Sequence, residues 1–133
     1  MSSENMKLKV FLTVGILGVL VLIFIGIYKT TGLQIENDML IIKGIYGVKI
    51  QISEIEEIIK IDSLPAGGKR KNGLGLGSIK IGHFYYDEVG DVRLYILKPD
   101  TPYLLIKSKT EKIIVGLGKN ENEALYAKLK NKL

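Results

Sequence analysis

Residues 10–28 read VFLTVGILGVLVLIFIGIY, a run with no charged side chain and with polar side-chain atoms only at Thr13 and Tyr28. At a helical rise of about 1.5 Å per residue it matches the roughly 30 Å hydrocarbon core of a bilayer, which predicts a transmembrane helix. Gly15, Gly18 and Gly26 would weaken an exposed soluble helix but are ordinary in a bilayer. The competing reading is a cleaved signal peptide. Residues 29–36, KTTGLQIE, offer no small-x-small cleavage site and the run is long for a signal, so an uncleaved single-pass anchor in the cell membrane is expected, preceded by a tail over residues 1–9. Gly15 and Gly18 lack GxxxG spacing and carry no dimerisation motif. Lys7 and Lys9 against Lys29 favour, by one residue, an amino terminus inside and the following domain outside.

Roughly a hundred residues remain for a globular part, enough for one modest core. Cysteine and tryptophan are absent and His83 is the only histidine, which excludes disulfides and thiolate chemistry. The net charge of +5 is spread along the chain. Beside a membrane segment it points to anionic lipid before nucleic acid, and no nucleic-acid partner is expected.

After Lys29 the apolar pattern changes from continuous to alternating. Val48, Ile50 and Ile52 alternate with Lys49 and Gln51, and Val92, Leu94 and Ile96 alternate with Arg93 and Tyr95, the period of strands with one buried face. Similar runs at 33–36, 39–44, 56–61, 78–86, 103–107 and 112–117 bring the expected total to about eight strands. Turn signals such as Asn37-Asp38, Tyr46-Gly47 and Val89-Gly90-Asp91 separate them, which predicts an antiparallel meander closed or nearly closed into a small barrel. The end of the chain returns to helical spacing. Asn120 and Glu123 read as a capping box, and Leu125, Leu129 and Leu133, supported by Tyr126, form an apolar stripe expected to close the barrel mouth.

The segments LIIKGIYGVKIQISEI, IGHFYYDEVGDVRLYI and NENEALYAKL, with a long glycine-rich stretch containing LP and NG after the first, resemble the bacterial pleckstrin-homology-like domain family over residues 33–129. The resemblance implies two nearly orthogonal sheets closed at one end by a carboxy-terminal helix. The fold class is therefore mainly β: a transmembrane helix over 10–28, then a pleckstrin-homology-like barrel or orthogonal sandwich over 33–133. Eukaryotic relatives hold phosphoinositides with basic residues in the first inter-strand loop. The matching turn here, Glu36-Asn37-Asp38, is acidic, so that site does not transfer. The Trp usual in the closing helix is also missing, with Leu125 or Tyr126 expected in its place.

The glycine-rich stretch itself, LPAGGKRKNGLGLGS at 64–78, has neither the spacing nor the following helix of a nucleotide loop. It reads as a long basic connection. Lys69, Arg70 and Lys71 are its candidate anion or lipid contacts; a solvated loop is the commoner use of such residues and is favoured. On a strand, His83 and Asp87 would lie about 13 Å apart, too far to share a metal ion. Tyr85, Tyr86, Tyr95 and Tyr103 could form an aromatic surface for a peptide, although tyrosines on half-buried strands more often pack inward. Nothing groups a nucleophile with a base, so no enzyme activity, cofactor, metal or small-molecule ligand is expected. The function expected is a non-catalytic binding or assembly module at the bilayer surface, for a protein partner or for self-association. The alternatives are a sensor of anionic headgroups through residues 69–71 and an accessory subunit of a membrane enzyme or transport complex.

Overall fold

The apolar run lies within α1 (Ser3–Thr30), a helix of 28 residues in the computed structural model, which describes residues 3–133. The helix begins inside the segment expected to be a tail. Residues 4–9 contain nothing that breaks a helix, and Glu4 in the first turn complements the positive end of the helix dipole. Its apolar side chains from Met6 to Ile23 are exposed, Phe11 at 74% and Leu22 at 69%, and it is long and apolar enough to cross a membrane. Thr13 Oγ1 donates to the Lys9 carbonyl at 2.9 Å and Thr30 Oγ1 to the Gly26 carbonyl at 2.6 Å, so these hydroxyls are satisfied within the helix.

The second unit, Thr31–Leu133, contains nine strands and one helix. β1 (Gly32–Glu36), β2 (Met39–Lys43) and β3 (Val48–Gln51) form a three-stranded antiparallel sheet. Asn37 and Asp38 turn the first hairpin at φ 51° and 60°, the positive values that a two-residue turn of primed type requires. A 3-10 turn over Ile52–Glu54 then breaks the chain away from this sheet. The remaining strands are β4 (Ile55–Ile61), β5 (Lys69–Leu76), β6 (Ile79–Tyr86), β7 (Gly90–Ile96), β8 (Tyr103–Ser108) and β9 (Lys112–Gly116), in the spatial order β4-β8-β9-β7-β6-β5.

Three expectations are corrected. The sheets do not close into a barrel: β3 does not pair with β4, and β4 and β5 remain the two edges of the larger sheet. The meander is broken, because the chain leaves β7, passes beyond the place of β9, and returns through the β8–β9 hairpin so that β9 lies parallel to β7. Finally, much of the stretch read as a loop is strand. Residues 69–76 pair with β6, with a register shift between Arg70 and Asn72, while Gly73 and Gly82 face each other at φ 141° and 130°. A Cβ on Gly73 would stand 2.3 Å from the Ile81 carbonyl oxygen, so only glycine fits that close approach.

The larger sheet is buried on both faces at its centre. Ile81, Tyr95, Val115 and Leu104 are cross-strand neighbours on one face and are at most 1% exposed. That face meets the smaller sheet's β2–β3 turn, where the Tyr95 hydroxyl donates to the Tyr46 carbonyl. It also meets α2 (Lys119–Lys132), whose Tyr126 ring lies 4.5 Å from Lys60 Nζ. The other face carries Phe84, Tyr86, Val92, Leu94, Ile96, Tyr103, Leu105 and Ile114 in one cluster. Leu64, in the link 62–68 that joins the two edge strands, packs on this cluster. A flat six-stranded sheet would set those edges roughly 24 Å apart, which accounts for the length of the link.

With no barrel mouth to plug, α2 packs on β8 and β9. Its first cap is Gly118, not Asn120, and its stripe is Asn122, Leu125 and Leu129, with Leu133 exposed at 53%. Asn122 is fully buried. Its Oδ1 accepts from the Leu117 amide and its Nδ2 donates to the Pro102 carbonyl, both at 2.9 Å, which ties the helix to the strand ends.

Asn122→Ala should therefore lower stability by about 1–3 kcal/mol in urea unfolding, since it orphans two part-buried backbone groups. A second prediction concerns alkali. Burial pushes the phenols of Tyr86, Tyr95 and Tyr103 above their ordinary value; the Arg93 charge opposes this at Tyr95, and Asp100 adds to it at Tyr103. A folded-state value above the unfolded one contributes stability that is present below pH about 10 and is lost as pH rises through the folded-state values. Urea midpoints should accordingly fall above pH about 10; midpoints that rise there would contradict the assignment.

Candidate functional site

Beyond the area covered by the smaller sheet, the same face of the larger sheet opens into a cleft of about 330 Å³. Strand alternation places its residues. Asp91 and Arg93 share a face of β7 with Tyr95, and His83 on β6 is the cross-strand partner of Arg93. The register shift in β5 brings Lys71 across to Asp91, with Nζ 2.8 Å from Oδ1. The β8–β9 turn supplies Lys109 and Glu111.

That turn is fixed by Ser108, whose Oγ accepts from the Glu111 amide at 2.9 Å and donates to the Glu111 carbonyl at 3.1 Å. The Lys109 amide donates to the Glu54 carbonyl at 3.1 Å, anchoring the turn to the 3-10 segment. Glu111 is thereby held against Arg93, with Nε 3.0 Å from Oε2 and Nη2 3.5 Å from Oε1. Burial works against the Arg93 charge, but the hydrogen bonds and charge of Glu111, joined by Tyr95, outweigh it and the guanidinium titrates above its ordinary value. Arg93 Nη1 also lies 3.4 Å from His83 Nε2. A guanidinium only donates, so Nε2 is the acceptor where this contact is a hydrogen bond. The Tyr46 ring meets His83 edge-on at 6.4 Å.

The cationic side chains of Lys71, Arg93 and Lys109 and two carboxylates line the cleft, and both carboxylates are engaged, by Lys71 and by Arg93. Lys112 Nζ rests on the Val89 carbonyl at 2.8 Å, a neutral acceptor. Lys112 lies on the face of Leu94 and Ile114, away from the cleft, so among the described residues Lys109 is the lining cation without a carboxylate partner, and the cleft holds one surplus positive charge on a rigid frame. Such an arrangement can receive one acidic group.

The three residues singled out in the sequence are not kept together. Lys71 belongs to the cleft. Lys69 lies opposite Tyr85, on the cleft face, and Arg70 lies opposite Phe84, on the other. Of the four tyrosines, Tyr86, Tyr95 and Tyr103 are buried and only Tyr85 is exposed, at 41%, so no aromatic surface forms. Sequence reasoning placed Arg93 only as a polar member of an alternating strand. The available signal was its i+2 neighbour Tyr95, a large side chain that shares its face.

The two ion pairs should respond differently to mutation. Arg93 and Glu111 are 22% and 29% exposed, against 56% and 72% for Lys71 and Asp91. Glu111→Gln is expected to lower stability by about 1–2 kcal/mol and Asp91→Asn by less than about 0.5 kcal/mol. Equal effects in paired urea titrations would contradict this ranking.

Residues 31–133 match the family model described as Bacterial PH domain. Comparison with curated proteins and with solved structures returns no match.

Proposed function

Because the chain belongs to the bacterial PH-domain family and carries a helix long and apolar enough to cross a bilayer, we propose that it is a non-catalytic binding module, anchored by α1, that engages a protein partner near the membrane surface. The observation that carries this reading is the cleft, in which Lys109 supplies positive charge with no carboxylate of its own among the described residues while both lining carboxylates are already paired. Helix α1 ends at Thr30 and β1 begins at Gly32, so the tether is short and a partner must itself reach the bilayer surface.

A protein partner fits better than a lipid surface because the charges around the cleft are mixed. A flat anionic bilayer averages over Asp91 and Glu111 as well as the lysines and gains little, whereas a single carboxylate can sit against Lys109 and leave Asp91 in water.

The test uses the full chain in zwitterionic nanodiscs with a fluorescent hexaglutamate peptide as probe. Binding should weaken on adding salt and fall about three- to tenfold in a Lys109→Ala variant. Equal affinity for both proteins would remove the cleft as the site. If phosphatidylglycerol vesicles bind the wild type while hexaglutamate does not, the headgroup-sensor reading replaces this one.

A further inference from the structure

The edge of the larger sheet formed by β5 pairs only with β6, and none of its eight residues is buried. Its outward backbone groups offer a template for another strand. The side chains restrict which strand. Lys71 is engaged by Asp91, but Lys69 and Arg70 are exposed and, among the described residues, make no ion pair. Since Lys69 lies opposite Tyr85 and Arg70 opposite Phe84, the two cations project from opposite faces of the same edge. The rest of the strand, Gly73-Leu74-Gly75-Leu76, is small or apolar, with Leu76 60% exposed.

We propose that β5 accepts an extended acidic segment of a protein partner as a seventh strand of this sheet, an inference that rests on the protein-partner reading above. Two consecutive acidic residues of that segment meet Lys69 and Arg70, one on each face, and its apolar residues lie along Leu74 and Leu76. The division of the cations between faces separates this occupant from the others. A bilayer lying on either face reaches only one of the two cations, and one meeting the edge leaves its outward amides and carbonyls without strand partners. A second copy of the chain is also a poor match. Parallel pairing stacks its cations on these cations, and symmetric antiparallel pairing sets Lys69 beside Leu76 and Arg70 beside Gly75. Basic residues on an edge guard against indiscriminate strand addition, and the same residues admit a strand of opposite charge.

The test again uses the full chain in zwitterionic nanodiscs. The probe is a capped octapeptide of four alternating valines and threonines followed by four glutamates, together with a copy N-methylated at alternate residues. The parent peptide should bind and slow hydrogen exchange at the outward amides of residues 69–76. The methylated copy keeps its charge but loses its ladder donors, and should bind the wild-type protein at least about tenfold more weakly. A Lys69→Glu/Arg70→Glu variant should weaken the parent peptide by about tenfold. Equal binding of parent and methylated peptides overturns the inference. So does loss of binding only in Lys109→Ala, although that result leaves the cleft reading in place. If neither peptide binds and phosphatidylglycerol vesicles do, both readings fall.

Discussion

The parallel pairing of β7 with β9 is the constraint from which the rest of the domain follows. Leu94 and Ile114 face one way from this pair, Tyr95 and Val115 the other, and none of the four is more than 1% exposed. A strand pair apolar on both faces cannot leave either face to water, so it requires two separate covers. One is the smaller sheet with α2. The other is the link 62–68 together with the curl of the larger sheet, which brings Ile59, Ile61, Leu64 and Val89 onto the second cluster. The closed barrel fails for the same reason. Placing β9 at the centre of six strands leaves β4 and β5 as edges.

Those edges and covers position the functional surfaces. The smaller sheet covers only part of its face of the larger one, and the uncovered remainder is the cleft. Its walls are central strands and a turn locked by Ser108, so Arg93 and Glu111 are held by the same framework that forms the core. The edge strand β5 contributes Lys71 to the cleft and leaves Lys69 and Arg70 outside it. Cleft and edge are therefore adjoining parts of one mixed surface of cations and exposed backbone, and each favours an acidic protein segment for its own reason.

Much of this was legible in the sequence. The change from a continuous apolar run to period-two alternation separates α1 from the domain. Eight of the nine strands announce themselves through alternation or short apolar runs, and the resemblance carried by residues 33–129 agrees with the family match over 31–133. β5 was hidden because glycines and cations disguise a strand: Gly73 is there for a close approach to Gly82, not for a loop. Strand order was hidden too, since periodicity identifies strands without saying which neighbours they choose. The role of Asn122 escaped notice because a polar residue in an apolar stripe looks like a surface position until its two backbone partners are in place.

The most direct measurement is residue-resolved amide hydrogen exchange over 62–76 in the full chain held in nanodiscs. An edge strand bonded on one side protects alternate amides, so residues 69–76 should show alternating slow and fast exchange while the unpaired link 62–68 exchanges fast. Uniformly fast exchange across 62–76 would mean that the stretch is a loop after all. Uniform protection of 69–76 would mean that the edge is already covered. Either result would contradict the account of an ordered, open edge on which the binding surface is built.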